Sequence, residues 1–127
     1  MLFGAGLILL SAHIGILADL GDDDIFEQYM CIGLAGFLLV TGNVVGKSER
    51  NFIFGIRIPW TLASTQNWRA THRFTGRLMI ISGVLLLMLS YNWSSLELGL
   101  VLSLGWLPIS GIYSFVFYLK NERPASE

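Results

Sequence analysis

The sequence predicts an all-α integral membrane protein: a four-helix bundle with a long cytoplasmic motif loop that contains an interfacial amphipathic helix. Three observations lead there. Of 127 residues, 54% are hydrophobic and 13% charged, against about 25% charged in an ordinary soluble domain. The apolar residues gather into four runs, about residues 2–18, 29–45, 74–91 and 96–119; a bilayer core takes about 20 such residues as helix, with about 17 as the lower limit. All eight basic residues fall in two places, from Lys47 to Arg77 and, as Lys120 and Arg123, after the fourth run. The chain has the length of one domain, 1–127, and the runs leave no soluble domain over.

The first run is near the short limit, so its helix stands upright or the bilayer thins beside it. It has no Lys or Arg ahead of its apolar stretch and continues directly into Asp19, which favours a retained helix over a cleaved signal peptide. His13 within it is expected as a neutral imidazole bonded to a neighbouring helix. The connection to the second run holds Asp19, Asp22, Asp23, Asp24 and Glu27, and the connection between the third and fourth holds Glu97. Because Lys and Arg collect in cytoplasmic loops, the chain reads N-in and C-in. Tyr29, Tyr91 and Trp93 then mark the outer interface, and Trp60, Trp68 and Tyr118 the inner one. Ser11 and Gly15, Gly42 and Gly46, and Gly99 and Ser103 are each four apart, giving small-residue faces for helix contact within the chain or between copies in a homo-oligomer.

The charge balance excludes some partners and chemistries. A formal charge of −1 leaves no basic surplus for direct nucleic-acid binding. A lone cysteine, Cys31, excludes an intrachain disulfide and a thiolate metal cluster. Asp22, Asp23 and Asp24 lack the alternating ligands and glycine of a calcium loop, so a solvated connection is favoured; as an outward acidic patch, it would also be where a cationic peptide is first met. Ser64 and His72 are eight residues apart, roughly 12 Å along one helix, too far for direct proton transfer. Neither an enzyme nor a cofactor is expected.

The connection of residues 46–73 is long for a small bundle, and long loops with specific residues tend to be functional. Gly42 and Asn43 precede it. Within it, Pro59 holds Ile58 extended and suits the first position of a helix, with Thr61 or Ser64 as N-cap. Helical spacing then puts Ser64, Trp68, His72 and Gly76 on one stripe, with Arg69, Arg73 and Arg77 about 100° around the axis. The arginine stripe suits anionic headgroups; the other suits packing. A bend is expected near Gly76. Arg57, among apolar neighbours, reaches either a defined acceptor or a headgroup, and a structural hydrogen bond is expected for His72.

The stretch NFIFGIRIPWTLASTQNWRATHRFTGR, residues 51–77, together with Gly42 and Asn43, resembles the signature of the SdpI immunity-protein family. The pattern falls on Asn51, Gly55, Arg57, Pro59, Trp60, Thr61, Leu62, Trp68, Thr71, His72 and Gly76. Arg50 stands where that family often has Pro before the Asn, and Ile58 where it often has Thr after the Arg. The resemblance implies a bacterial plasma-membrane protein that protects against a secreted, membrane-active peptide toxin and holds a cytoplasmic transcriptional repressor at the bilayer. It implies that these motif positions other than Leu62, with Asn43, serve partner binding. The alternative reading is a small oligomeric transporter or channel, which the scarcity of intramembrane polar residues disfavours.

Overall fold

The computed structural model describes residues 2–18, 23–50, 55–92 and 95–122. Among the described residues six helices follow in order: α1 (Leu2–Ala18), α2 (Asp23–Val45), α3 (Pro59–Ala63), α4 (Thr65–Ser90), α5 (Leu96–Leu104) and α6 (Trp106–Asn121). Three stretches, Ile25–Val45, Thr65–Ser90 and Leu96–Asn121, are long and apolar enough to cross a membrane, and α1 supplies a shorter apolar helix. The fold is an all-α membrane bundle.

Its distribution of side chains is that of a protein solvated by lipid. Large apolar residues face outward, with Met88 67% and Ile112 65% exposed, whereas Asn67, Thr71, Thr75, Ser110 and Ser114 are fully buried. In water the outward face would be an extended aggregation surface. In hydrocarbon there is no gain from hiding leucine, so polar groups turn inward to bond one another and small residues mediate helix contact.

α4 is central: it packs most extensively on α2 and also meets α3, α5 and α6, while α1 packs on α2. Two apolar clusters line these contacts, Cys31, Ala35 and Leu86 in one, and Leu38, Val45 and Met79 with Trp106 in the other. Beside the second cluster, α2 and α4 cross at backbone contact. A Cβ on Gly76 would lie 2.6 Å from the Gly42 carbonyl oxygen and 2.9 Å from Gly46 Cα.

The helix boundaries refine the expected runs. α2 begins six residues before Tyr29, because an apolar run marks the part inside hydrocarbon and not the helix end; Glu27, in this extension, accepts from Leu96 N–H at 3.1 Å and so helps cap α5 beside Ser95. The bend expected at Gly76 is absent: α4 runs unbroken from Thr65 to Ser90, since the glycine there serves close packing and leaves the hydrogen-bond ladder intact. Residues 65–73, assigned by sequence to the connecting loop, are thus the first turns of α4. The fourth run, by contrast, is divided at Gly105. Pro108 has no N–H for the Leu104 carbonyl and its ring opposes that oxygen, while Gly105 keeps helical angles and bonds Val101 O at 2.8 Å. His13 is exposed, and its Nδ1 meets the Leu9 carbonyl of its own helix at 2.7 Å. That local acceptor replaces the neighbouring helix expected as its partner.

Candidate functional site

The segment after α2 is a strap tied to α4 at both ends. Residues four apart on a helix stack one above the other, and Trp68 and His72 do so with ring centroids 3.9 Å apart and planes at 16°. Trp68 Nε1–H donates to the Ser48 carbonyl at 3.1 Å, fixing the chain just after α2. His72 Nε2 accepts from Ile56 N–H at 3.0 Å, and its Nδ1 faces the Trp68 carbonyl at 2.8 Å. A backbone N–H can only donate, so the neutral tautomer carrying its proton on Nδ1 satisfies both contacts. Both rings are buried.

Gly55 makes this approach feasible. Its φ of +114° belongs to the region that side chains disfavour, and a Cβ there would sit 2.2 Å from His72 Nε2. Beyond it the strap turns into α3 around the buried Thr61, whose Oγ1 accepts from Ile58 N–H at 3.1 Å and lies 2.8 Å from the carbonyls of Ile56 and Ile58. Pro59 occupies the first position of α3, as its missing N–H allows. Arg50 Nη1 donates to the Leu62 carbonyl at 3.1 Å, near the C-terminal end of α3. Of the two candidate caps, Ser64 takes the role: its Oγ accepts from Asn67 N–H at 3.2 Å at the start of α4.

Trp60 leaves the strap sideways and packs on Phe115 and Tyr118 of α6, at centroid distances of 5.3 and 6.1 Å. Arg57 is exposed, with no polar partner among the described residues. Arg69, Arg73 and Arg77 are all exposed along one side of α4. With Lys47, Arg73 and Arg77 border a cleft of about 240 Å³ over Gly42, Asn43 and Gly46, and Lys47, Arg69 and Arg73 border a second of about 210 Å³ beside Ser48 and Glu49. The two clefts gather Lys47, Arg69, Arg73 and Arg77 on one surface, with Glu49 beside the second. Asn51 lies outside the described residues, as do Asp19, Asp22, Trp93 and Arg123.

The structure therefore brings Gly55, Trp68, His72 and Gly76 together, with Thr61 close by, and sends Trp60 and Thr71 elsewhere. Thr71 belongs to a polar cluster that ties α4 to α6 and that the sequence reading missed. Its centre is Asn67, 0% exposed. Asn67 Oδ1 accepts from Thr71 Oγ1 at 3.0 Å and Ser114 Oγ at 2.8 Å; Nδ2 donates to the Ser114 carbonyl at 3.3 Å and to Glu122 Oε2 at 3.2 Å. Ser64 Oγ–H donates to the other Glu122 oxygen. All four hydrogen-bonding capacities of the amide are thus used. The available signal was the pairing of Ser110 with Ser114, and of Asn67 with Thr71, four residues apart in otherwise apolar or amphipathic helices.

Asn67→Leu is expected to lower stability by about 2 kcal/mol, because it removes the acceptor of two buried hydroxyls and one of the two donors to Glu122 at once, more than a single interhelical bond in a membrane contributes. Unfolding of the purified chain in detergent measures it; a midpoint matching the parent would show that the cluster does not hold α6.

Comparison with known proteins gives a family and a relative. Residues 47–118 match the model of the SdpI/YfhL protein family. The chain is 29% identical over 107 residues to a protein of Bacillus subtilis (strain 168) named Immunity protein SdpI, an alignment covering 83% of this chain and 52% of that protein. The chain thus spans about half the length of that relative. No solved structure matches it.

Proposed function

The chain belongs to the SdpI/YfhL protein family, and on that premise we propose that it is a bacterial membrane immunity protein that protects against a secreted, membrane-active peptide toxin. The observation that carries the reading is a coincidence of regions. The family match covers residues 47–118, which include Ser48, Gly55, Ile56, Thr61, Trp68 and His72, the residues that clasp the strap. The relative's name, Immunity protein SdpI, supports the class of function.

In this reading the strap is the working part and α4 its support. Gly55, Thr61, Trp68, His72 and Gly76 hold it in place and Thr71 ties α4 to α6, while the exposed motif positions Asn43, Arg57 and Pro59, with Trp60 beside them, shape the surface a partner meets; Asn51 is assigned to the same partner by its place in the motif. Protection requires no catalytic step: the protein binds the toxin or alters the bilayer site the toxin needs. With both termini cytoplasmic, as the placement of Lys and Arg favours, Arg69, Arg73 and Arg77 lie among anionic headgroups, each contributing roughly 1 kcal/mol of membrane attraction. The same basic face offers a cytoplasmic repressor a docking surface at the membrane.

The test is survival of toxin-sensitive bacteria expressing the chain, with parent and variants matched for membrane abundance, under challenge by a secreted membrane-active peptide. The parent is expected to protect and Arg57→Ala to lose protection, since Arg57 is exposed and its removal leaves the clasp intact. Trp60→Ala is expected to impair protection as well. Normal protection by both variants would refute the role of the strap. Failure of the parent itself to protect would favour the repressor-holding role.

A further inference from the structure

The glycine crossing of α2 and α4 forces like charges together. Gly42, Gly46 and Gly76 line the cleft of about 240 Å³ there. Because these glycines let the two backbones touch, Lys47 after α2 is brought to the same hollow as Arg73 and Arg77 of α4. All three cations are exposed, and none has a polar partner among the described residues. No acidic residue lines this hollow, whereas Glu49 borders the neighbouring cleft beside Ser48. Cations gathered on one small surface repel one another, and an anion between them replaces that repulsion by attraction. The exposed Asn43 adds an amide donor to the lining.

The surroundings of the cleft select the anion. Arg73, Arg77 and Ile80 follow one another along α4, and Ile80 ends the lining on the side toward the middle of the helix. From there the surface is apolar: Ile81 is 55% and Val84 44% exposed on α4, and Val44 is 52% exposed on α2. The cleft therefore stands where the cationic end of the crossing passes into the lipid-facing surface. A soluble anion would meet the cations and leave the apolar side unused, whereas a phosphate carried on acyl chains uses both. Basic pockets between membrane-spanning helices take such headgroups. We propose that this cleft binds one anionic phospholipid, its phosphate among Lys47, Arg73 and Arg77 and its acyl chains along Ile80 and Val84. The lipid bridges α2 and α4 at their crossing, and Arg69 stands outside its seat. The site rests on the headgroup reading of Arg73 and Arg77 given above, which it narrows from a diffuse attraction to one place, and it is independent of toxin protection.

Native mass spectrometry of the full chain, purified in neutral detergent and equilibrated with equal amounts of phosphatidylglycerol and phosphatidylcholine, identifies the first lipid retained. That lipid is expected to be phosphatidylglycerol. Arg77→Gln and Lys47→Gln should each lower the preference about fivefold, the effect of one basic residue beside an anionic lipid. Lys120→Gln removes the same charge outside the cleft and should leave the preference unchanged. Asn43→Phe keeps every cation and fills the hollow, so it should lower the preference as well, and an unfolding midpoint matching the parent shows that its fold is intact. Equal retention of the two lipids by the parent would overturn both the proposal and the headgroup reading beneath it. A preference lowered as much by Lys120→Gln as by Arg77→Gln would overturn the proposal alone, since the attraction is then diffuse, and so would a preference unchanged in both Arg77→Gln and Asn43→Phe. Displacement of the retained phosphatidylglycerol by inorganic phosphate would also overturn it, assigning the cleft to a soluble anion.

Discussion

Gly76→Val is expected to destabilise the bundle by about 3 kcal/mol, at the upper end of what overpacking a tight contact costs. The reason lies in what the new atoms would meet. A Cβ at this position comes within 2.6 Å of the Gly42 carbonyl oxygen and 2.9 Å of both Gly46 N and Gly46 Cα, all backbone atoms that no rotamer change can move aside. The helices must separate, and separation loosens Leu38 and Val45 against Met79 and pulls Ser48 from the Trp68 indole. Denaturation of the purified chain in detergent, read beside its membrane abundance, tests this. Gly6→Val is the control, because a Cβ on Gly6 meets nothing within 4 Å. Equal midpoints for the two variants would disprove a backbone-level crossing of α2 and α4.

His72→Ala is expected to release the strap while leaving the four apolar segments inserted. The change removes the acceptor of Ile56 N–H, removes the ring stacked on Trp68 and opens a void beside Gly55. An unsatisfied buried donor costs about 1–3 kcal/mol, and loss of packing adds to it. Native-state hydrogen exchange reads the local consequence: the Ile56 amide should exchange about thirtyfold faster for roughly 2 kcal/mol lost, with core amides of α4 much less affected. An Ile56 exchange rate unchanged from the parent would mean that some other contact holds the strap. Gly55→Ala should act in the same direction, because its methyl group would displace the imidazole.

The membrane character and the division of α4 into two faces were legible in the sequence for physical reasons. Run length reports hydrocarbon thickness, and residues spaced by four share a face, so Trp68, His72 and Gly76 fall inside while Arg69, Arg73 and Arg77 fall outside. The structural hydrogen bond expected of His72 is present in the form of two contacts. Partners distant in sequence were not legible. Asn67 and Ser114 are 47 positions apart, and no local pattern specifies which polar residue of one helix meets which of another. Gly76 shows a second limit. Glycine serves hinges and close crossings alike, and only the presence of Gly42 and Gly46 opposite it distinguishes the two. The break at Gly105 had a readable cause in Pro108, but the apolar run passes through it without a change in composition.

The length of α4 sets a relation between the strap and the bilayer. At 26 residues and 1.5 Å per residue, α4 is about 39 Å long, whereas the hydrocarbon core is about 30 Å thick. The excess is nearly two turns, comparable to the stretch from Thr65 to His72 that carries both anchor points of the strap. One continuous rod therefore crosses the hydrocarbon and holds the strap at its end, like a mast carrying a fixed yard. The strap's height above the lipid tails is set by insertion depth, and a change in bilayer thickness would raise or lower Arg57 with it, with no joint in between to absorb the motion.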